Sequence, residues 1–230
     1  MPSPTSPLDK LRTVTWYLAA ASKLGTTTYQ ATADAMYEVT LDDSITTMQC
    51  SKWAKGQRCS SKWITRLNEN LHPDVEKAYQ IGPQGVPLWQ AFELPSEQKN
   101  DSLLFLSLTK AQPTPIIQLA LAVTGFMHAA ELFILNTASA SIELSARAFM
   151  DMDDEYYTRS AKHNRAEIAS IRTTSQKLTL AANACQHELP LGLDIPSIAI
   201  KHFIFCSKRR HPKNVDAAYV FNFLSIFNNS

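Results

Sequence analysis

Glycine is scarce in this chain, with 6 in 230 residues, and runs that alternate Val, Ile or Thr with polar residues are few. Both shortages argue against a sheet protein and for an all-α one. A charge excess is missing too: 22 Lys and Arg stand against 21 Asp and Glu, a net charge of +1. No whole-molecule field therefore draws the protein to nucleic acid or to a membrane surface, and any such binding has to come from a local patch. The four cysteines, Cys50, Cys59, Cys185 and Cys206, form no C-x-x-C pair and none stands at zinc-ligand spacing to a histidine. Cys185 and His187 are two residues apart, which on a helix sends them to different faces. No metal or other cofactor is expected, and the cysteines read as small buried hydrophobes in a reducing compartment.

Catalytic signatures are lacking as well. Gly82–Pro87 is a rigid turn without the lysine of a phosphate loop. The acidic run Asp151–Glu155 lacks the alternation of a calcium loop. There is no nucleophile motif and no framed carboxylate pair, so an enzyme is the least supported class. No repeat of 20 to 50 residues is visible. The start, MPSPTSPLDK, has no apolar core of its own. Residues 1–7 read as a disordered lead-in, and the chain is expected in the cytoplasm.

What is present is a globular composition, 45% hydrophobic and 19% charged. Two helical domains are expected, over 8–94 and 102–230, divided at the polar stretch Leu94–Asp101. In the first, Leu8–Leu24 is a helix with Leu11, Val14, Leu18 and Ala21 on one stripe, ended by Gly25. A second helix runs to Val39 with Ala31, Ala35 and Val39 inward. In the other domain the longest apolar run, Ile116–Ala138, is long enough to cross a membrane. Gln118, His128, Glu131 and Asn136 interrupt it, so it reads as a central buried helix in which His128 and Glu131 face each other. Helices follow over Tyr157–Lys177, Leu178–Cys185, Ile195–Cys206 and Val215–Phe227, the last with Ala218, Phe221 and Leu224 inward.

The functional interest lies in Thr46–Leu71. Its first helix runs to about Trp53, with Met48 and Trp53 as buried residues. Gly56 then permits a left-handed helix end. Ser60 and Ser61 offer a cap for the next helix, which carries Trp63, Ile64 and Leu67 on one face. Between Lys52 and Arg66 lie five cations (Lys52, Lys55, Arg58, Lys62, Arg66) and no acid.

Within this stretch, Ser51, Lys52, Trp53, Gly56, Arg58 and Ser60, followed by Trp63 and Leu67, resemble the recognition-helix region of the Cro/C1-type helix-turn-helix family over Cys50–Leu67. Pro87-Leu88-Trp89 and the W-x-x-G elbow also look like a set of uncharacterised bacterial proteins, a likeness that implies no activity. The family resemblance implies a regulatory protein of bacterial or phage type that binds double-stranded DNA. Short polar side chains at the helix N-terminus (Thr46, Thr47, Gln49, Ser51) would reach base edges. Lys52, Lys55, Arg58 and Lys62 would meet the phosphate backbone, where contacts position rather than specify. A second basic patch, Lys208, Arg209, Arg210 and Lys213, reads as an exposed loop or a contact for an anionic partner. The C-terminal half would serve a homodimer or a protein partner, with no membrane. The competing class is a helical protein-interaction or adaptor module without nucleic-acid binding.

Overall fold

A Ser6-x-x-Asp9 capping box opens the first helix. The Ser6 hydroxyl accepts from the Asp9 amide at 3.0 Å and the Asp9 carboxylate accepts from the Ser6 amide, with Pro7 in the first turn. Two of the helix's free amides are thereby satisfied before any packing occurs. The computed structural model describes residues 5–71, 73–93, 108–110, 112–147, 154–187, 189, 193–210, 215 and 217–228. Among them 78% are helical and none lies in a strand, so the fold is all-α.

The helices are α1 Pro7–Lys23, α2 Tyr29–Thr40, α3 Thr47–Ala54, α4 Ser61–Asn70, α5 Pro73–Gln80, α6 Leu88–Ala91, α7 Pro115–Arg147, α8 Asp154–Ala184, α9 Ile195–Arg210 and α10 Ala217–Asn228, with a 3-10 turn at Pro83–Gly85. Gly25 closes α1 as expected. With φ at +67° it lets the Thr26 amide reach the Ala21 carbonyl at 3.0 Å and its own amide reach Ser22 at 3.1 Å, the paired bonds of a left-handed helix stop.

Two apolar clusters form. One gathers Trp16, Tyr17 and Ala20 of α1 with Ala33, Met36, Ile45, Cys50, Trp53, Cys59, Ile64, Leu67 and Val75. The other gathers Leu8 and Leu11, the earlier turns of α1, with Leu88–Trp89 and Ala91–Phe92 and the helices from α7 onward. α1 belongs to both, and α3, α5 and α9 all pack on it. The stretch Leu94–Asp101 lies outside the described residues.

Several faces differ from the expected stripes. On α1, Leu18 is exposed while Thr13 and Thr15 are buried, because a helix wrapped by three neighbours has little solvent face left. On α2 the buried set is Thr32, Ala33, Met36 and Thr40 rather than Ala31, Ala35 and Val39. Leu178–Cys185 is not a separate helix; α8 runs on through Ala184. On α10 it is Phe223 and Ile226 that are buried, and Phe221 is exposed.

α7 contains the apolar run. Its Pro115–Asn136 portion is long and apolar enough to cross a membrane, and 56% of its most apolar window is buried inside the fold. His128 is exposed and does not share the interior with Glu131. Glu131 is buried and accepts a 2.7 Å bond from the Arg210 guanidinium of α9.

Candidate nucleic-acid interface

α3 is only eight residues long, shorter than a helix that holds in isolation, so packing has to hold it. Its N-cap is Thr46, whose hydroxyl accepts from the Gln49 amide at 3.3 Å. Asp42, Asp43 and Ser44, although capping residue types just ahead of it, do not cap α3. Instead the Ser44 hydroxyl and amide both donate to Asp42, which also receives Arg66 of α4. The Ser44 hydroxyl bond, followed by the Ser44 amide and then Arg66, holds the Asp42 carboxyl below the usual carboxylate range. This ties the connector between α2 and α3 to α4. At 41–46 that connector is longer than the three- to four-residue turn of a helix-turn-helix.

On the inner side of α3, Cys50 and Trp53 are fully buried, and Trp53 meets Trp16 of α1 edge-on at 5.5 Å and 74°. Such aromatic pairs add about 0.5–1.5 kcal/mol beyond the area they bury. The helix ends as the glycine predicts: Gly56 has φ +77°, its amide bonds to the Trp53 carbonyl at 2.9 Å, and the Gln57 amide bonds to the Lys52 carbonyl at 2.9 Å. Gly56 also lies against α1, where an added Cβ would sit 3.0–3.2 Å from atoms of Lys10. The elbow is therefore seated on α1 at two points, Trp53 and Gly56.

At about 100° per residue, the side of α3 opposite Cys50 and Trp53 carries Thr47, Met48, Ser51, Lys52 and Lys55, with Gln49 on the flank. Thr46 and Lys55 are exposed; Thr47, Gln49, Ser51 and Lys52 are half-buried; Arg58 and Lys62 are exposed. The Lys62 ammonium lies 5.4 Å from the centre of the Trp63 ring. Arg66 does not join the open cations, because it is paired with Asp42. The Ser60 hydroxyl makes no capping bond to α4, contrary to the expectation. Its backbone nonetheless starts the helix, and Ile64 and Leu67 turn inward with Trp63 half-buried.

Two residues of this face were not apparent from the sequence. Met48 is 66% exposed, not buried; five residues separate it from Trp53, which puts them about 140° apart on a helix, a signal the spacing did contain. Gln30, at the start of α2, accepts from the Thr47 hydroxyl and donates to Asp34 at 2.8 Å. It links the N-termini of α2 and α3 across seventeen residues, and no local pattern announces it.

The second basic patch is not a loop. Lys208, Arg209 and Arg210 form the last turn of α9, where cations suit the negative end of the helix. Lys208 and Arg209 are exposed, Arg210 is committed to Glu131, and Lys213 lies outside the described residues. Arg209 and Arg210 face Arg12 of α1, whereas the elbow rests against Lys10. Arg12 and Arg58 of the elbow both lie within electrostatic reach of Tyr79 on α5, so Arg12 stands between the two basic regions. Groups of three or more His, Cys, Asp or Glu able to hold a metal do not occur among the described residues.

Comparison with known protein families, with curated proteins and with solved structures gave no match to this chain.

Proposed function

We propose that the elbow of α3 and α4 binds double-stranded DNA, with α3 entering the major groove, and that the protein acts in regulation. The observation that carries this reading is the two-sidedness of α3. One side is pinned to α1 through Trp53 and Trp16; on the other, Met48 and Lys55 are exposed and Thr47, Ser51 and Lys52 are half-buried, with the Thr47 hydroxyl held by Gln30 of α2. A short polar helix with one partly open face and cations at its C-terminal end suits groove insertion, with Thr46, Thr47, Gln49 and Ser51 toward base edges and Lys52, Lys55, Arg58 and Lys62 toward phosphates. Met48 adds an apolar contact of the kind that thymine methyl groups accept. The C-terminal half supplies the dimer or partner contact.

The test is gel retardation on a pool of random duplexes across a salt series. Phosphate contacts release counterions, so binding should weaken steeply with salt. Changing Lys52, Lys55 and Arg58 together to Ala should abolish retardation at moderate salt, and any residual slope should fall by about 2.7, at about 0.9 per lost contact. Thermal unfolding should barely shift. Absence of retardation by the parent protein at low salt refutes the reading. The alternative, a protein-interaction module, draws on the exposed Leu132 and Leu135, neighbours at i and i+3 on α7. It predicts a protein partner whose binding survives the three substitutions.

A further inference from the structure

At about 100° per residue, α7 divides into two sides. Ile116, Leu119, Val123, Phe126, Ala130 and Phe133 are buried against the rest of the fold. Gln118, Leu121, Gly125, His128, Leu132 and Leu135 fall on the other side, at steps of three, four, three, four and three residues. Gln118, His128, Leu132 and Leu135 are exposed, and Leu121 and Gly125 are half-buried. Steps that alternate three and four keep successive side chains toward one neighbouring axis, the seam along which two helices wrap left-handedly.

The shape of this seam suits a copy of itself. A two-fold axis placed midway between Gly125 and His128 lays a second α7 antiparallel to the first and sets every member of the seam opposite another member. Gly125 then faces His128, Leu121 faces Leu132, and Gln118 faces Leu135. A Cβ added at Gly125 would meet nothing within 4 Å. The glycine is therefore an open notch, and its opposite number is the large imidazole of His128. Large side chains facing small ones let two helices interdigitate. The Leu121–Leu132 layers flank that centre on both sides.

Charge points the same way. None of the six residues is an Asp, Glu, Lys or Arg, and the whole chain carries +1, so two copies meet without like-charge repulsion. The same neutrality gives the seam no means of selecting a partner by charge. Lipid fits less well, because Gln118 and His128 would lose their hydrogen bonds to water in hydrocarbon. From Gln118 to Leu135 the seam is about 26 Å long, and with a width of about 10 Å two copies cover on the order of 500 Å². Stable interfaces close about 1,200 Å² or more, so the contact belongs with the weak, reversible ones.

We infer that the protein pairs with a second copy of itself through this seam, antiparallel, with His128 seated at the partner's Gly125. The inference rests on the reading that the C-terminal half supplies the dimer contact, and it stands apart from DNA binding by the elbow.

The test is sedimentation velocity of the full chain over roughly 1 to 200 μM, a range that spans weak association. The parent should pass from monomer to dimer across it. Leu132→Glu, which sets a carboxylate against the partner's Leu121, and Gly125→Leu, which fills the notch, should each weaken association at least about tenfold. Both positions open to solvent, so the circular dichroism spectrum should stay that of the parent. Leu180→Glu, at an exposed leucine of α8, should change nothing. Register is read by cysteine pairing in a Cys206→Ser background, where the other three native cysteines are buried. Leu121→Cys mixed with Leu132→Cys should give a disulfide-linked dimer under mild oxidation. Neither should do so alone, because like positions lie about 16 Å apart along the seam. A parent that stays monomeric, a dimer that both seam variants leave intact, or cross-linking by Leu132→Cys alone would each overturn the inference. So would a monomer that floats with phosphatidylcholine vesicles unless Leu132 is changed to Glu, since lipid would then cover the face. DNA retardation by a strictly monomeric protein would sink the seam and spare the elbow; a seam dimer that retards no DNA would do the reverse.

Discussion

Replacing Arg210 with Met removes the α9 partner of Glu131, a carboxylate buried on the longest apolar helix. The Glu131 side chain is 9% exposed and sits among Ala130, Phe133 and Ile134, while the Arg210 side chain keeps 24% exposure. Removing one partner of a buried pair costs about 3–5 kcal/mol. The partial exposure of Arg210 puts the expected loss near the lower end, about 3 kcal/mol. For a chain of this size each kcal/mol moves the midpoint by about 2–4 °C, so Tm should fall by roughly 6–12 °C. Both side chains make other contacts, so the single change overstates the pair, and a double-mutant cycle isolates it. Arg210→Met combined with Glu131→Leu removes the buried carboxylate as well and should recover at least about half of the loss, since apolar replacements for buried pairs are often neutral or better. Glu131→Leu alone should cost less than Arg210→Met, because a long Arg can swing its head to water and a Glu in the middle of α7 cannot. Urea unfolding of the four proteins decides it. A loss under about 1 kcal/mol for Arg210→Met, or a double variant no more stable than that single one, would show that the pair does not hold α9 to α7.

Gly56→Ala should destabilise the protein by at least about 1 kcal/mol more than Gly25→Ala, as read by chemical unfolding. Both positions have positive φ, but only Gly56 has Lys10 within 3.0–3.2 Å of an added Cβ, and Gly25 has open space. Equal losses would mean that the elbow is not seated on α1. His202 predicts a pH effect. Its folded pKa, about 4, lies below the ordinary 6.5, so between those values the unfolded chain binds the extra proton and stability rises with pH. Stability should therefore decline as pH falls below about 6.5, by at most about 1.4 kcal/mol per unit, and the decline should be complete by about pH 4. Asp9 and Arg12 on α1, Glu93, and Cys206, Arg209 and Arg210 on α9 line one cleft with His202. The clean measurement is accordingly the difference in unfolding free energy between the parent and His202→Asn over that window. A parallel pair of curves would remove His202 as the source.

Helix ends were legible in the sequence where glycine closes them, at Gly25 and Gly56, whereas the Ser6-x-x-Asp9 box that opens α1 begins inside the stretch 1–7 that reads as a lead-in. The faces were less so, for a reason visible in α2. Thr32 and Thr40 are buried because each hydroxyl bonds back to its own helix, to Thr28 at 2.8 Å and Met36 at 2.7 Å. A threonine satisfied in this way packs as an apolar residue, and a stripe built from Ala and Val alone passes it over. α10 fails differently, since Tyr219, Val220, Phe221, Phe223, Leu224, Ile226 and Phe227 surround the helix and periodicity cannot choose among them. In the candidate site, the five-cation run was plain. Which cations stay open was not, because Arg66 is taken by Asp42 and Arg210 by Glu131, 24 and 79 residues away.

These long-range ties make the elbow a property of the whole chain. α3 is too short to persist alone, and its supports, Trp16 and Lys10, lie on α1. α1 in turn is fixed at Leu8 and Leu11 by the cluster that contains α7 and α9, and at Trp16, Tyr17 and Ala20 by the cluster that contains α3 and α4. Because packed helices shift as units rather than deform smoothly, a displacement of α1 by one cluster reaches α3 directly and reaches α4 through α5, which packs on both α1 and α4.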